Sequence, residues 1–348
     1  MRYVIIGAGA VGGSIGGRLA EAGQDVVLVA RGAHYEALRE RGLRLVTPEG
    51  TRVHRLPVVD RPEALELRAD DVLLLSVKTQ DSVAALDAWS ARPVTGAGPA
   101  GSTAGELLPL VCAQNGVEGE RLALRRFRRV YAMCVWLPAT HVEPGEVVAQ
   151  CAPYTGMLHL GRYPSGSDGT VRALAAGLEK GRLLAPLAPD VMRWKYAKLL
   201  SNLVNAIEAV TGLLGEESHD LVDRVYAEGA AVLDAAGIAF ASREEQARTR
   251  GDLVSFAPTG ATPRGGGSSW QSLSRGTGTI EADYLNGEIA LLGRLHGVPT
   301  PVNDTLQRVA DAFARERRPA GSLGIAELTA LVDGEQALSG LDSGQTLS

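Results

Sequence analysis

The sequence predicts an α/β protein: a parallel sheet covered by helices in the N-terminal half, then a mainly α-helical C-terminal domain. Two patterns carry this. Through the first half, short apolar runs alternate with helical periodicity, as strand–helix–strand units do when both faces of their sheet are buried. From Asp190 onward the pattern is helical, with Gly237 and Gly297 at expected helix ends and Pro299 just beyond the second. The chain of 348 residues is comfortable for two domains with sizeable cores.

In chain order, residues 3–6 read as a buried strand, 11–22 as a helix and 26–29 as a second strand. Residues 72–77 form another, followed by a helix to about Trp89, and 108–113 the next. Residues 130–137, 146–149 and 156–160 are expected as strands of an additional antiparallel layer, with 183–187 closing the domain. The main helices are expected at 192–214, 221–236, 280–296 and 302–317. Residues 95–105 and 258–269 look like loops, the latter holding the Gly265-Gly266-Gly267 run. The implied division is 1–188, 189–332 and a polar, flexible tail at 333–348.

A net charge of −5 gives no reason to expect nucleic acid or an anionic membrane as partner. The three cysteines, Cys112, Cys134 and Cys151, show no CxxC spacing. With six histidines at no metal-ligand spacing, no metal site is expected. A reducing cytoplasm fits best. The apolar N-terminus is interrupted by Gly7, Gly9, Gly12 and Gly13, so it reads as strand, turn and helix rather than a signal peptide. No apolar run approaches the ~20 residues of a membrane span.

Gly7-Ala8-Gly9-Ala10-Val11-Gly12 fits G-x-G-x-x-G between a strand and a helix. In a Rossmann-type unit the first glycine permits the tight turn, the second the approach of a pyrophosphate, and the third close helix–strand packing. The helix N-terminus then faces the phosphates. After the second strand comes Ala30-Arg31-Gly32, with no carboxylate for ribose hydroxyls. Arg31 suits a 2′-phosphate, which favours NADP(H) over NAD. Lys78 and Asn115 each follow a strand, where ligands of such sheets collect; a plain turn is the alternative for Asn115-Gly116.

In the second half, Trp194, Lys198 and Asn202 recur every four residues and share one helical face, with Asn205 nearby. A lysine among apolar residues can supply a proton, and an asparagine can hold a hydroxyl. Lys195 lies seven residues from Asn202, so periodicity alone leaves it open as the acid.

Taken together, G-x-G-x-x-G, Arg31, S-V-K-T-Q, Q-N-G, W-K-x-x-K-L-L-x-N, S-S-W and I-E-A-D-Y-L-N-G…H-G-V-P-T-P resemble the ketopantoate reductase (2-dehydropantoate 2-reductase) family over roughly residues 1–315. The resemblance implies NADPH-dependent reduction of ketopantoate to pantoate on the route to pantothenate and coenzyme A. It implies Lys198 as general acid and Glu281 as the residue orienting substrate and lysine. Asn202 and Ser269 would bind substrate, with Asn205 beside them, and Lys78 and Asn115 would lie at the cofactor–substrate junction. A small 2-oxo acid is the expected partner, and a homodimer the expected assembly.

The sequence departs from the family in the substrate half. Ala206 stands where a second Asn is usual, with Asn205 one residue early. Trp270 and Leu273 replace a usual Met and Asp, and Gly265–Gly267 occupies a stretch that can hold a polar contact. Two alternatives therefore stand beside ketopantoate reduction: the same chemistry on another 2-oxo acid, and a non-catalytic NADP(H)-binding sensor.

Overall fold

The structure, a computed structural model, describes residues 1–96, 98–141, 143–260 and 266–344, with side chains described through 337. By packing it separates into two compact units, Met1–Lys195 with Ala241–Thr262, and Tyr196–Phe240 with Pro263–Ser348.

The first unit is built on an eight-stranded sheet. Its strands are β1 (Arg2–Ile6), β2 (Asp25–Val29), β3 (Val58–Val59), β4 (Asp71–Leu75), β5 (Pro109–Cys112), β6 (Arg129–Trp136), β7 (Gly156–Arg162) and β8 (Leu183–Leu184), in the order β8-β7-β6-β5-β4-β1-β2-β3. The pairings are parallel except β6 with β7. β1 and β4 are buried at every position, as continuous apolar runs must be when helices cover both faces. Arg2 pairs bidentately with buried Asp71 at 2.6 and 2.7 Å, tying the first residues of these two strands together. The strand order reverses at β1, so β1 and β4 flank the switch point where such sheets bind ligands.

Helix α1 (Ala10–Glu21) contains Gly12, Gly13, Gly16 and Gly17, each costing about 1 kcal/mol of helix propensity relative to Ala. Packing explains them. A Cβ on Gly16 would lie 2.9 Å from Leu28, and one on Gly17 2.9 Å from Leu45. The glycine face lets α1 sit close between the main sheet and a second, four-stranded one. That sheet runs Ala139–Thr140, Glu146–Ala149, Leu43–Thr47, Gly50–His54.

The expected extra antiparallel layer is corrected for two of its three strands. Strands β6 and β7 extend the main sheet, β6 lying parallel to β5 and antiparallel to β7, whereas Glu146–Ala149 does lie in the second sheet, antiparallel to Ala139–Thr140 and parallel to Leu43–Thr47. The reason is visible in β6: Val130 to Val135 are all buried, leaving no solvent face for an outer layer. Two further helices position the site, α2 (Gly32–Arg41) after β2 and α3 (Ser82–Ser90) after β4. Two others are α4 (Gly119–Leu124) after β5 and α5 (Gly169–Lys180) after β7. Ala241–Thr262 belongs to this unit partly because Val254–Phe256 pairs with Cys151–Pro153.

The second unit is helical. The helix expected at 192–214 is two: α6 (Val191–Asn202), whose first residues lie in the first unit, and α7 (Asn205–Thr211). At the break, buried Asn286 donates from Nδ2 to the Leu203 carbonyl (3.1 Å), replacing a lost helical partner. Gly212, at φ +95°, ends α7. Helix α8 (His219–Ala235) follows. Residues 258–269, expected as loop, include the start of α9 (Ser268–Ser274); 261–265 lie outside the described residues. The helix expected at 280–296 is α10 (Asn286–His296) preceded by a 3₁₀ turn, Ala282–Tyr284. Gly297 closes it in the left-handed conformation, as its position suggests.

Helix α11 (Pro301–Glu316) opens with proline. Its Val302 and Asn303 N–H groups donate to Glu228 of α8 at 3.0 and 2.8 Å, satisfying orphan donors of the first turn. Burial raises the Glu228 carboxyl above its ordinary range, while these bonds pull it back. The flexible tail expected beyond Val332 is corrected as far as Gly344: α12 runs Ile325–Gly344. Leu328 and Val332 are fully buried, and Arg224 donates to Asp333 and Gln336 at 2.7 Å each. Residues 345–348 lie outside the described residues. No described helix is long and apolar enough to cross a membrane.

Candidate active site

The candidate region of the first unit is a backbone cradle at the ends of β1 and β4. Gly7 adopts φ +102°, a conformation side chains rarely take, and a Cβ there would lie 2.8 Å from Val77. Its N–H and that of Ala8 donate to the Val29 carbonyl at 3.1 and 2.9 Å. Ser76 Oγ donates toward the Gly7 carbonyl (2.9 Å) and also lies 3.2 Å from the Ile6 carbonyl. A Cβ on Gly12 would collide with both the Gly7 carbonyl and Ser76 Oγ. Gly9, by contrast, borders open space, with only His141 Nδ1 at 4.0 Å from a Cβ built there. Ala10 and Val11 form the first turn of α1, which carries no acidic residue. A turn shaped by Gly7, closed by Gly12 and open above Gly9 fits a dinucleotide's pyrophosphate.

Histidine geometry supports the same turn, a feature the metal-centred reading of the histidines overlooked. His34 lies 2.7 Å from the Ala8 carbonyl through Nε2, while Gly145 N–H donates to Nδ1 at 2.9 Å. A carbonyl on one nitrogen and an N–H on the other place the proton on Nε2 of a neutral ring. Burial, opposed by the Ala8 bond, lowers its pKa in keeping with this. Arg31 is exposed at the N-cap of α2, whose first turn contains no carboxylate. Lys78 and Asn115 are half-buried just beyond β4 and β5. The strand ends bearing them are joined: Gln114 Nε2 donates to the Val77 carbonyl (2.7 Å) and to Ser82 Oγ (2.8 Å).

Lys195, open as an acid from periodicity, is 2 % exposed and fully committed. Its ammonium forms an ion pair with buried Glu120 and donates to the Gln114 carbonyl at 3.2 Å. Trp194, its neighbour, stacks on His159 at 4.0 Å between ring centroids. It is an anchor of the first unit.

The candidate residues of the second unit lie on α6, α7 and α9. Lys198 is half-buried on α6, and Asn202, one turn on, is 4 % exposed. Among the described residues, Asn202 Nδ2 and Ser268 Oγ are buried without a hydrogen-bond partner. Such groups cost about 1–3 kcal/mol unless something satisfies them. Glu208 of α7 accepts from Gly267 N–H (2.7 Å), and Asn205 Oδ1 lies 3.3 Å from a Cβ built on Gly267. These contacts bring Asn205 and Glu208 against the segment leading into buried Ser269. Ala206, where the family usually has Asn, is buried in the same helix. Trp270 packs over Gly266, whose Cβ would lie 2.6 Å from its ring; Gly265, of the same run, lies outside the described residues. Glu281 is 4 % exposed and makes no capping bond to the 3₁₀ turn it precedes.

A sheet with its glycine turn at the switch point, together with a lysine–asparagine stripe, defines a nicotinamide-nucleotide-dependent oxidoreductase. The family model described as ketopantoate reductase PanE/ApbA matches residues 3–164, and its C-terminal counterpart matches 190–314. The chain belongs to the ketopantoate reductase family. It is 30% identical to a 2-dehydropantoate 2-reductase of Mesorhizobium japonicum, covering 91% of this chain and 99% of that protein. A 2-dehydropantoate 2-reductase of Pyrococcus horikoshii is 25% identical, over 90% and 97%. Among solved structures, a PanE/ApbA family ketopantoate reductase from Ralstonia eutropha superposes with a TM-score of 0.72. It is 27% identical and covers 91% of this chain and all of that one. A D-mandelate dehydrogenase with NADH shares the fold, with a TM-score of 0.75 at 22% identity over 92% of this chain and all of that one.

Proposed function

We propose that the protein reduces the C2 carbonyl of ketopantoate, giving pantoate, with NADPH as reductant in the cytoplasm. The observation that carries this reading is the buried, unpartnered Asn202 amide one helical turn after Lys198. An orphan donor beside a lysine suits a substrate oxygen better than it suits a core.

When bound, the nicotinamide supplies a hydride to C2. Lys198 stabilises the negative charge developing on the carbonyl oxygen and gives it a proton, then regains one from solvent. Asn202 donates to a substrate oxygen, and Ser269 donates to the substrate carboxylate, with Asn205 beside it. Glu281 orients the Lys198 ammonium. In the cofactor half, Gly7 to Gly12 take the pyrophosphate, Arg31 the 2′-phosphate, and Lys78 and Asn115 the nicotinamide end.

Ala206 supports a second reading, the same chemistry on a different 2-oxo acid, because it withdraws an amide from the substrate side. The test is loss of absorbance at the NADPH band with a panel of 2-oxo acids, repeated with NADH. Saturable turnover of ketopantoate with NADPH supports the first reading. Turnover only of another 2-oxo acid supports the second. NADPH binding with no turnover of any 2-oxo acid would favour a non-catalytic sensor.

A further inference from the structure

Lys195, Glu120 and Gln114 form a buried network that no proposed chemical step uses. Lys195 and Glu120 come from α6 and α4, and their side chains are 2 % and 0 % exposed. Taking both charges out of water is costly, and an apolar pair of equal volume is often as stable. Net stability is therefore a weak reason for the pair, and what it holds is more informative.

The ammonium holds the Gln114 carbonyl at 3.2 Å. The Gln114 amide, from the other end of the same residue, holds the Val77 carbonyl and the Ser82 hydroxyl. Gly119, beside Glu120, leaves room for that amide, since a Cβ there would press on Gln114 Oε1. Val77 directly precedes Lys78, and Gln114 directly precedes Asn115. One buried cation thus fixes the backbone beside both polar residues at the ends of β4 and β5.

We infer that Lys195 is a positioning residue for the cofactor: with Glu120 and Gln114 it braces the two strand-end loops that present Lys78 and Asn115 to the nicotinamide end of the dinucleotide. The inference rests on the cofactor reading above. It separates two lysines three residues apart, one holding cofactor loops and the other reserved for proton transfer.

The experiment is NADPH titration by fluorescence on the full chain, with steady-state kinetics on whichever 2-oxo acid is turned over. The variants are Lys195→Met and Gln114→Ala. Gln114→Ala removes the amide bonds to Val77 and Ser82 while leaving the ion pair and the carbonyl bond, so it tests the arm of the brace that reaches the β4 loop should Lys195→Met fail to fold. The brace predicts NADPH binding weakened about tenfold or more in the folded variants, as small misplacements of binding groups produce. It also predicts kcat at saturating NADPH changed by less than about threefold. Unchanged NADPH affinity in folded variants overturns the brace. So does a collapse of kcat with unchanged affinity in Lys195→Met, which would make Lys195 the acid. A wild-type protein that binds no nicotinamide nucleotide overturns the cofactor reading, and the brace with it.

Discussion

The two units carry candidate regions built from different materials. In the first unit the proposed cofactor cradle is mostly backbone: glycine φ angles, a helix N-terminus and carbonyls held by Ser76, His34 and Gln114. In the second unit the proposed substrate residues act through side chains: Lys198, Asn202, Ser269 and Glu281 on helices and turns. A backbone cradle tolerates little change, because a Cβ on Gly12 meets main-chain atoms that cannot move aside. A side-chain pocket can be altered one residue at a time while the helices persist. The departures from the family pattern, Ala206, Trp270 and Leu273, all fall in the second unit. We propose that cofactor binding is thereby separable from substrate choice.

The sharpest way to break this comparison is Lys198→Ala. We expect kcat to fall about 10²–10⁴-fold, the range for loss of a general acid, with NADPH affinity by fluorescence titration unchanged. A parallel loss of NADPH binding would show that the two regions are not separable. Next is Arg31→Ala, which should weaken NADPH about 10–100-fold through loss of a charged hydrogen bond, leaving NADH within about twofold. Equal weakening of both nucleotides would remove Arg31 from the 2′-phosphate. Asn202→Ala comes third: kcat/KM for the 2-oxo acid should fall about tenfold. Because its amide is orphaned in the free protein, the melting temperature should hold or rise, which calorimetry would show.

The smallest effect concerns Asp311, on α11 of the second unit. Burial, with Asp283 beside it, raises its carboxyl to about 7. The folded state therefore holds this proton more tightly than the unfolded state does. Stability falls as pH rises from the ordinary Asp value to about 7, and the loss is complete above that. Asp311→Asn should leave the melting temperature unchanged near pH 4 and raise it slightly at pH 8. A variant that melts lower at pH 8 would contradict this assignment.

The strand–turn–helix around Gly7 to Gly12 was legible because its signals are local. Gly7 to Gly12 encode a tight turn and close packing within six residues, and apolar runs mark most of β1, β4 and β5. Much else was invisible for a physical reason. Helix α2 has no apolar stripe, with only Ala37 and Leu38 buried, so periodicity passes over it. The break between α6 and α7 depends on Asn286, 83 residues away, and the role of Lys195 on Glu120, 75 residues away. Side-chain partners of that separation leave no trace in spacing. The extra-layer expectation held for Glu146–Ala149 and failed for β6 and β7, because exposure of a strand face depends on its neighbours in the sheet, which the run itself does not state.

The most direct test of the account is a comparison of wild-type protein and Lys198→Ala, each saturated with NADPH, in single-turnover reduction of ketopantoate followed at the NADPH band. The account predicts rapid oxidation in the wild type and a rate lower by about 10² or more in the variant, with equal NADPH occupancy in both. Equal rates in the two proteins would contradict it.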